Sequence, residues 1–157
     1  MSSHRRPARI LHFNVTAHPT AEWTGPQLRE TFPFDLIPCY LLRDRDGIFG
    51  FDFTRHVEDL GIQAVLSAPR SPWQRAYVER VIRSIRLECL DYLIVFSEAS
   101  LRRTLSSYFA YYHGAGTHLS LGEDAPHPRP VQPATLGRVF AIAQLGGLHK
   151  RYELRAA

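Results

Sequence analysis

Cysteine is scarce in this chain of 157 residues: only Cys39 and Cys89 occur, without CxxC spacing. Two lone thiols speak against a disulfide framework and against a thiolate zinc site. Lysine is scarcer still, since 19 positions are Lys or Arg and Lys150 is the one lysine. An arginine-rich surface suits bidentate phosphate contacts, although a GC-rich gene gives the same bias. Long apolar runs are also missing. The basic start Met1-Ser-Ser-His-Arg-Arg-Pro7 is followed by none of signal-peptide length. No stretch is long enough to span a bilayer, and the expectation is a cytoplasmic protein without a membrane partner. No internal repeat is present.

What is there suffices for a folded domain. Hydrophobic residues make up 45% of the chain, charged residues 22% and aromatic residues 11%. That balance permits a real core and argues against wholesale disorder. The length fits one domain. Nineteen basic against 15 acidic residues leave a net charge of +4, which permits a nucleic-acid partner without requiring one.

Along the chain, residues 1–8 read as a flexible basic tail. Residues 9–16 alternate, with Leu11, Phe13 and Val15 on one face and Ile10, His12, Asn14 and Thr16 on the other, and predict a strand. Thr20 is a candidate cap for a helix with Trp23, Leu28 and Phe32 inward; Gly25-Pro26 should kink or delay it and Pro33 should end it. Residues 39–43 read as a buried strand ending in the turn Asp44-Arg-Asp-Gly47. A short helix around 52–60, with Phe53, Val57 and Leu60 at helical spacing, stops at Gly61, and another strand covers 62–66. After the loop Ala68–Pro72 the pattern turns helical. Val78, Ile82, Ile85 and Cys89 make one apolar stripe. Ser97 is a plausible cap for a second long helix with the stripe Leu101, Leu105, Tyr108, Phe109 and Tyr112. From Gly114 to Pro133, glycines and prolines crowd together and suggest an extended tail lying over the domain or leading to a partner. Residues 139–148 suggest a last strand or a hairpin around Gly146-Gly147. The expected division is a tail at 1–8, a core at 9–113 and an irregular segment at 114–157.

The strongest chemical constellation is Asp44 at a strand end with Glu79 on the following long helix. Phosphodiester chemistry needs hard oxygen ligands for Mg²⁺, and two ions can clamp the attacking and leaving oxygens. Rigid elements hold such carboxylates best. Arg80, Arg83 and Arg86 line the same helix and suit a DNA backbone. Simpler roles exist for each residue. Asp44-x-Asp46-Gly is a turn with side-chain hydrogen bonds. Glu79 pairs with Arg83 as an ordinary i, i+4 ion pair. Trp73 anchors the loop in the core rather than stacking on a base. His12, His18, His113 and His118 fit no zinc spacing, and His113 and His118 suit packing or hydrogen bonding near the site. Tyr108, Tyr111 and Tyr112 form a stripe with one exposed member.

Three motifs carry a resemblance. Leu41-Leu-Arg-Asp44-Arg-Asp-Gly-Ile-Phe49 resembles the segment bearing the second acid of DDE transposases and retroviral integrases. Ser67-Ala-Pro-Arg-Ser-Pro-Trp-Gln-Arg-Ala-Tyr-Val-Glu79-Arg80 resembles the loop and helix bearing the third. Tyr111-Tyr-His-Gly-Ala-Gly-Thr-His-Leu-Ser-Leu121 resembles the ending of insertion-sequence transposases. Thirty-four residues lie between Asp44 and Glu79 and 32 between Asp46 and Glu79. The longer interval is nearer the family's, which favours Asp44 as the ligand and leaves Asp46 either supporting the metal ligand from behind or simply forming the turn.

The resemblance covers residues 9–133 and implies an α/β, RNase H-like integrase core. It also implies Mg²⁺ or Mn²⁺ held by Asp44 and Glu79, and DNA contacts from Arg70, Trp73, Gln74, Arg75, Arg80, Arg83, Arg86, His113 and His118. Implied partners are element-end and target DNA, a second copy or an intact transposase, in a nucleoid-associated setting. Two positions depart from the family pattern: 75 is Arg where Asn is usual, and 116 is Gly where Arg is usual. No acid before Asp44 suits the first-strand role, because Glu22, Glu30 and Asp35 all fall in or just after the first helix. The expectation is therefore an incomplete core lacking the sheet's first strands and the first catalytic acid. Such a chain would be inactive alone, and the alternatives are a DNA-binding remnant that does not cut or a non-functional gene fragment.

Overall fold

The computed structural model describes residues 9–32, 37–117, 125–127 and 129–156. The basic tail at 1–8, the helix-ending Pro33, Asp35 and His118 lie outside the described residues. The chain divides into two compact units, one of Leu11–Ile82 and one of Arg83–Ala157 with the residues up to Ile10.

In the first unit, helix α1 (Ala21–Thr31) begins where Thr20, with extended backbone, accepts a hydrogen bond from the Trp23 N–H at 3.2 Å. Thr20 thus satisfies one of the orphan donors of the first turn. Gly25-Pro26 neither delays the start nor ends the helix. Gly25 is there for space. A Cβ at this position would lie 2.8 Å from Nδ1 of His56, whose ring is already tied to the Asp52 carbonyl at 2.7 Å. The missing side chain lets α1 approach helix α2 (Phe51–Asp59) closely.

Strand β1 (Tyr40–Arg43) runs parallel to strand β2 (Gln63–Leu66), with Tyr40 opposite Gln63 and Leu42 opposite Val65. Parallel neighbours need a crossover, and α2 supplies it. Gly61, at φ +71°, turns the chain out of that helix into β2. Leu28, Phe53, Val57 and Ile62 form the buried cluster, with Phe32, Leu41, Phe49, Leu60 and Ala64 packed against it. Phe49 and Phe53 meet edge to face with ring centroids 4.8 Å apart.

Two expectations for this part of the chain fail. Residues 9–16 form no strand. Alternation supplies a suitable face, but a strand also needs a ladder partner, and no described residue provides one. The expected apolar stripe is covered only at its far end, where Cys89 is buried and Ile85 half-buried, and is open over the first turns of helix α3 (Ala76–Glu88). Val78 and Ile82 are 57% and 54% exposed, and the helix has no buried residue. Periodicity identifies an apolar face but not the element that covers it.

In the second unit, Ser97 caps helix α4 (Glu98–Gly114) by accepting from the Ser100 N–H at 3.1 Å. Tyr108, Phe109 and Tyr112 are buried as the stripe predicts. None of the three tyrosines is the exposed member expected, since Tyr111 is half-buried and stacks on His149 at 4.5 Å. Within the proline-rich stretch Ala125 and Pro126 are buried, and the His127 N–H bonds to the His113 carbonyl at 2.8 Å. Strands β3 (Arg138–Gln144) and β4 (His149–Arg155) form an antiparallel hairpin with Arg138 opposite Arg155. The segment after Gly114 is therefore irregular only in part. Gly146 (φ +66°) and Gly147 (φ +100°) make the turn.

Two outcomes follow from these cores. Phe53→Ala should cost about 3 kcal/mol by emptying the cluster centre. Denaturant unfolding followed by Trp fluorescence reads this directly, because Trp23 and Trp73 both lie in the first unit. In the second unit, burial and then the nearby Glu88 carboxylate, which accepts the Tyr108 hydroxyl at 3.0 Å, push the Tyr108 phenol well above its ordinary range. A raised acid pKa stabilises below the unfolded value and is lost as pH rises past it. Stability of this unit should therefore fall once pH passes about 10, where an unfolded tyrosine ionises. Tyr108→Phe should reduce that alkaline loss while costing about 1 kcal/mol at neutral pH, as measured by denaturation at each pH.

Candidate functional site

Asp44 follows directly on β1 and is fixed from two sides. Its Oδ1 accepts the Asp46 N–H at 3.1 Å, and Asp46 Oδ1 in turn accepts the Ile48 N–H at 3.1 Å. These are the side-chain hydrogen bonds of an Asx turn. Asp44 Oδ2 accepts from Arg75 Nη1 at 3.0 Å. The two side chains are 34% and 40% exposed, so the pair adds about 1 kcal/mol at most. Its weight is chemical, because each Asp44 oxygen now has a donor.

Arg75 was expected to face a phosphate, and the structure pairs it with a carboxylate instead. A second guanidinium that the sequence reading overlooked lies alongside. Arg43 donates from Nη1 to the Asp44 carbonyl at 3.3 Å and from Nη2 to Thr54 Oγ1 at 3.2 Å. Its buried Nε has no partner among the described residues. The signal was available as an arginine ending an apolar strand beside an acid.

The loop before α3 is held by Gln74, whose Oε1 accepts the Ala68 N–H at 2.8 Å. Arg70 sits at φ +56° in this loop. A 3₁₀ turn, Pro72–Arg75, leads into α3. Trp73 is 70% exposed, which corrects the expectation of a core anchor and leaves its face open for stacking. Glu79 lies in the first turn of α3 and is exposed; its carboxylate has no ion pair or hydrogen bond with a described residue, and the ordinary i, i+4 pairing does not form. Arg80 lies over the Tyr77 ring at 5.9 Å.

Asp44, Asp46, Arg70, Trp73, Gln74, Arg75, Glu79 and Arg80 all belong to the first unit, and Arg83, Arg86 and His113 to the second. Arg83 is exposed, and Arg86 pairs with Asp91 at 3.4 Å. His113 Nε2 accepts the Ile10 N–H at 3.0 Å, and its ring stacks on His127 at 5.2 Å. That places His113 in packing and hydrogen bonding, the simpler of its two expected roles.

The donor set does not make a two-metal site. Among the described residues no group of three or more His, Cys, Asp or Glu side chains is arranged to hold a metal. A hard cation at Asp44 would also have to share a carboxylate that already accepts from Arg75.

Residues 60–126 match the family model of the integrase core domain. The match takes in the motifs ending at Arg80 and at Leu121 and begins after Asp44. The segment is thus integrase/transposase-like, in line with the resemblance of its motifs. Domains of this family act on DNA and generally use divalent metals. No curated protein matches the chain. Among the described residues no helix is long and apolar enough to cross a membrane.

Removing the Gln74 side-chain amide isolates its role. Gln74→Ala should loosen the loop by about 1 kcal/mol. The Ala68 amide should then exchange with deuterium about fivefold faster, with the Val57 amide unchanged as internal control.

Proposed function

We propose that the chain is part of a transposase or integrase acting on DNA, with an incomplete RNase H-like core that does not cut DNA by itself. The match of residues 60–126 to the integrase core domain is the observation that carries this reading. In the complete activity, Asp44 and Glu79 would be two of the acids holding Mg²⁺ or Mn²⁺. Bound there, such ions stabilise charge on the attacking and leaving oxygens. This chain's own residues supply positioning. Glu79, at a helix start, has no partner among the described residues, Trp73 offers an open aromatic face, and Arg70, Arg80 and Arg83 are exposed cations. Arginine contacts to phosphate give affinity without sequence preference.

The Asp44–Arg75 pair favours a second, non-catalytic reading in which the chain binds DNA, alone or beside an intact transposase, without cleaving it. Both readings require salt-dependent DNA affinity. Binding to a labelled duplex should weaken linearly with log salt, and Arg80→Ala and Arg83→Ala should each lower the slope by about one. Affinity that ignores salt would end both readings. Any divalent-dependent nicking should vanish with Glu79→Gln, while DNA binding that survives both this substitution and a chelator selects the non-catalytic reading.

A further inference from the structure

We propose that Arg75 takes the place of a divalent cation at Asp44, so that this chain holds its strand-end carboxylate in a metal-free, internally neutralised state. Both oxygens of Asp44 already accept a hydrogen bond, Oδ1 from the Asp46 N–H and Oδ2 from Arg75 Nη1 at 3.0 Å, which leaves each oxygen only its second lone pair. A metal ion bound directly would need an oxygen lone pair at about 2.1 Å and would sit against the guanidinium. Arg75 is not a loose surface arginine. It ends the Pro72–Arg75 turn, whose preceding loop is tied by the Gln74–Ala68 hydrogen bond and by the Gln74 N–H to the Ser71 carbonyl at 3.1 Å.

A second observation points the same way. Arg43 donates to the backbone carbonyl of Asp44, and its Nε is buried. One guanidinium therefore faces the carboxylate and a second holds the backbone carbonyl of the same residue, so that the charges of Arg43 and Arg75 offset those of Asp44 and Asp46. A divalent ion would therefore find no acidic excess there to relieve. The permanently charged, planar guanidinium suits such a role, since it cannot lose its proton and fits a carboxylate edge.

The inference rests on the reading of Asp44 as one of the site's carboxylates. Its test contains no DNA, so its failure and the absence of DNA binding are separate results. Mn²⁺ is titrated into the full chain, and the electron paramagnetic resonance signal of free aqueous Mn²⁺ reports binding. Wild type and Asp44→Asn should bind alike, without a site that depends on Asp44. Arg75→Gln should gain a saturable site at least tenfold tighter, lost again in Arg75→Gln with Asp44→Asn. A folded Arg75→Gln chain without that gain overturns the proposal, as does wild-type binding weakened by Asp44→Asn. Should Arg75→Gln fail to fold, the wild type still decides. Asp44 and Asp46 amide resonances should stay sharp on adding Mn²⁺, and their selective paramagnetic broadening would refute the idea.

Discussion

A parallel pair of strands is stable only when its faces are covered, and β1 with β2 has one face covered. Leu41 and Ala64 turn toward the cluster of Leu28, Phe53, Val57 and Ile62. Tyr40, Leu42 and Val65 point the other way and are 65%, 47% and 39% exposed. The first unit depends on the covered face. It fixes α2 as the crossover, draws α1 in at Gly25, and sets where β1 ends and Asp44 begins. Two parallel strands with a single apolar layer are a small base for independent stability. The open face is apolar enough to suit further protein.

The placement of Asp44 follows from that architecture, and its chemistry follows from its neighbours. A carboxylate at the end of a strand is well held, which suits a ligand, although β1, expected to be buried, is covered on one face only. Here Arg75, from the turn before α3, pairs with the carboxylate, and Arg43, from the strand itself, donates to the backbone carbonyl of the same residue. Glu79 differs in having no partner among the described residues. The two acids singled out by the motifs thus sit in opposite electrostatic settings, one neutralised and one free.

Much of the local structure was legible in the sequence. Thr20 and Ser97 are caps because a short hydroxyl side chain reaches the third residue of the coming helix. Gly61 and Gly146-Gly147 mark turns because they adopt positive φ. The strand at 9–16 was misread because alternation reports a face and not a ladder. The exposure of Val78, Ile82 and Trp73 was invisible for a related reason: burial is decided by elements far along the chain. The Asp44–Arg75 pair joins residues 31 positions apart, and no local pattern distinguishes an arginine facing phosphate from one facing a carboxylate. The motifs identified the kind of core, and the later part of that identification is what the family match supports.

The two cysteines, uninformative as a pair, differ sharply in surroundings. Cys89 is fully buried, and burial pushes its thiol above the ordinary range, which suppresses the reactive thiolate. Cys39 is exposed immediately before β1, with its carbonyl accepting the Gln63 N–H at 3.0 Å. The folded chain therefore has one addressable sulfur. Oxidants, alkylating reagents or a second thiol meet the protein at the start of its parallel ladder, and a bond formed between two chains there would join them through the strand whose outer face is bare.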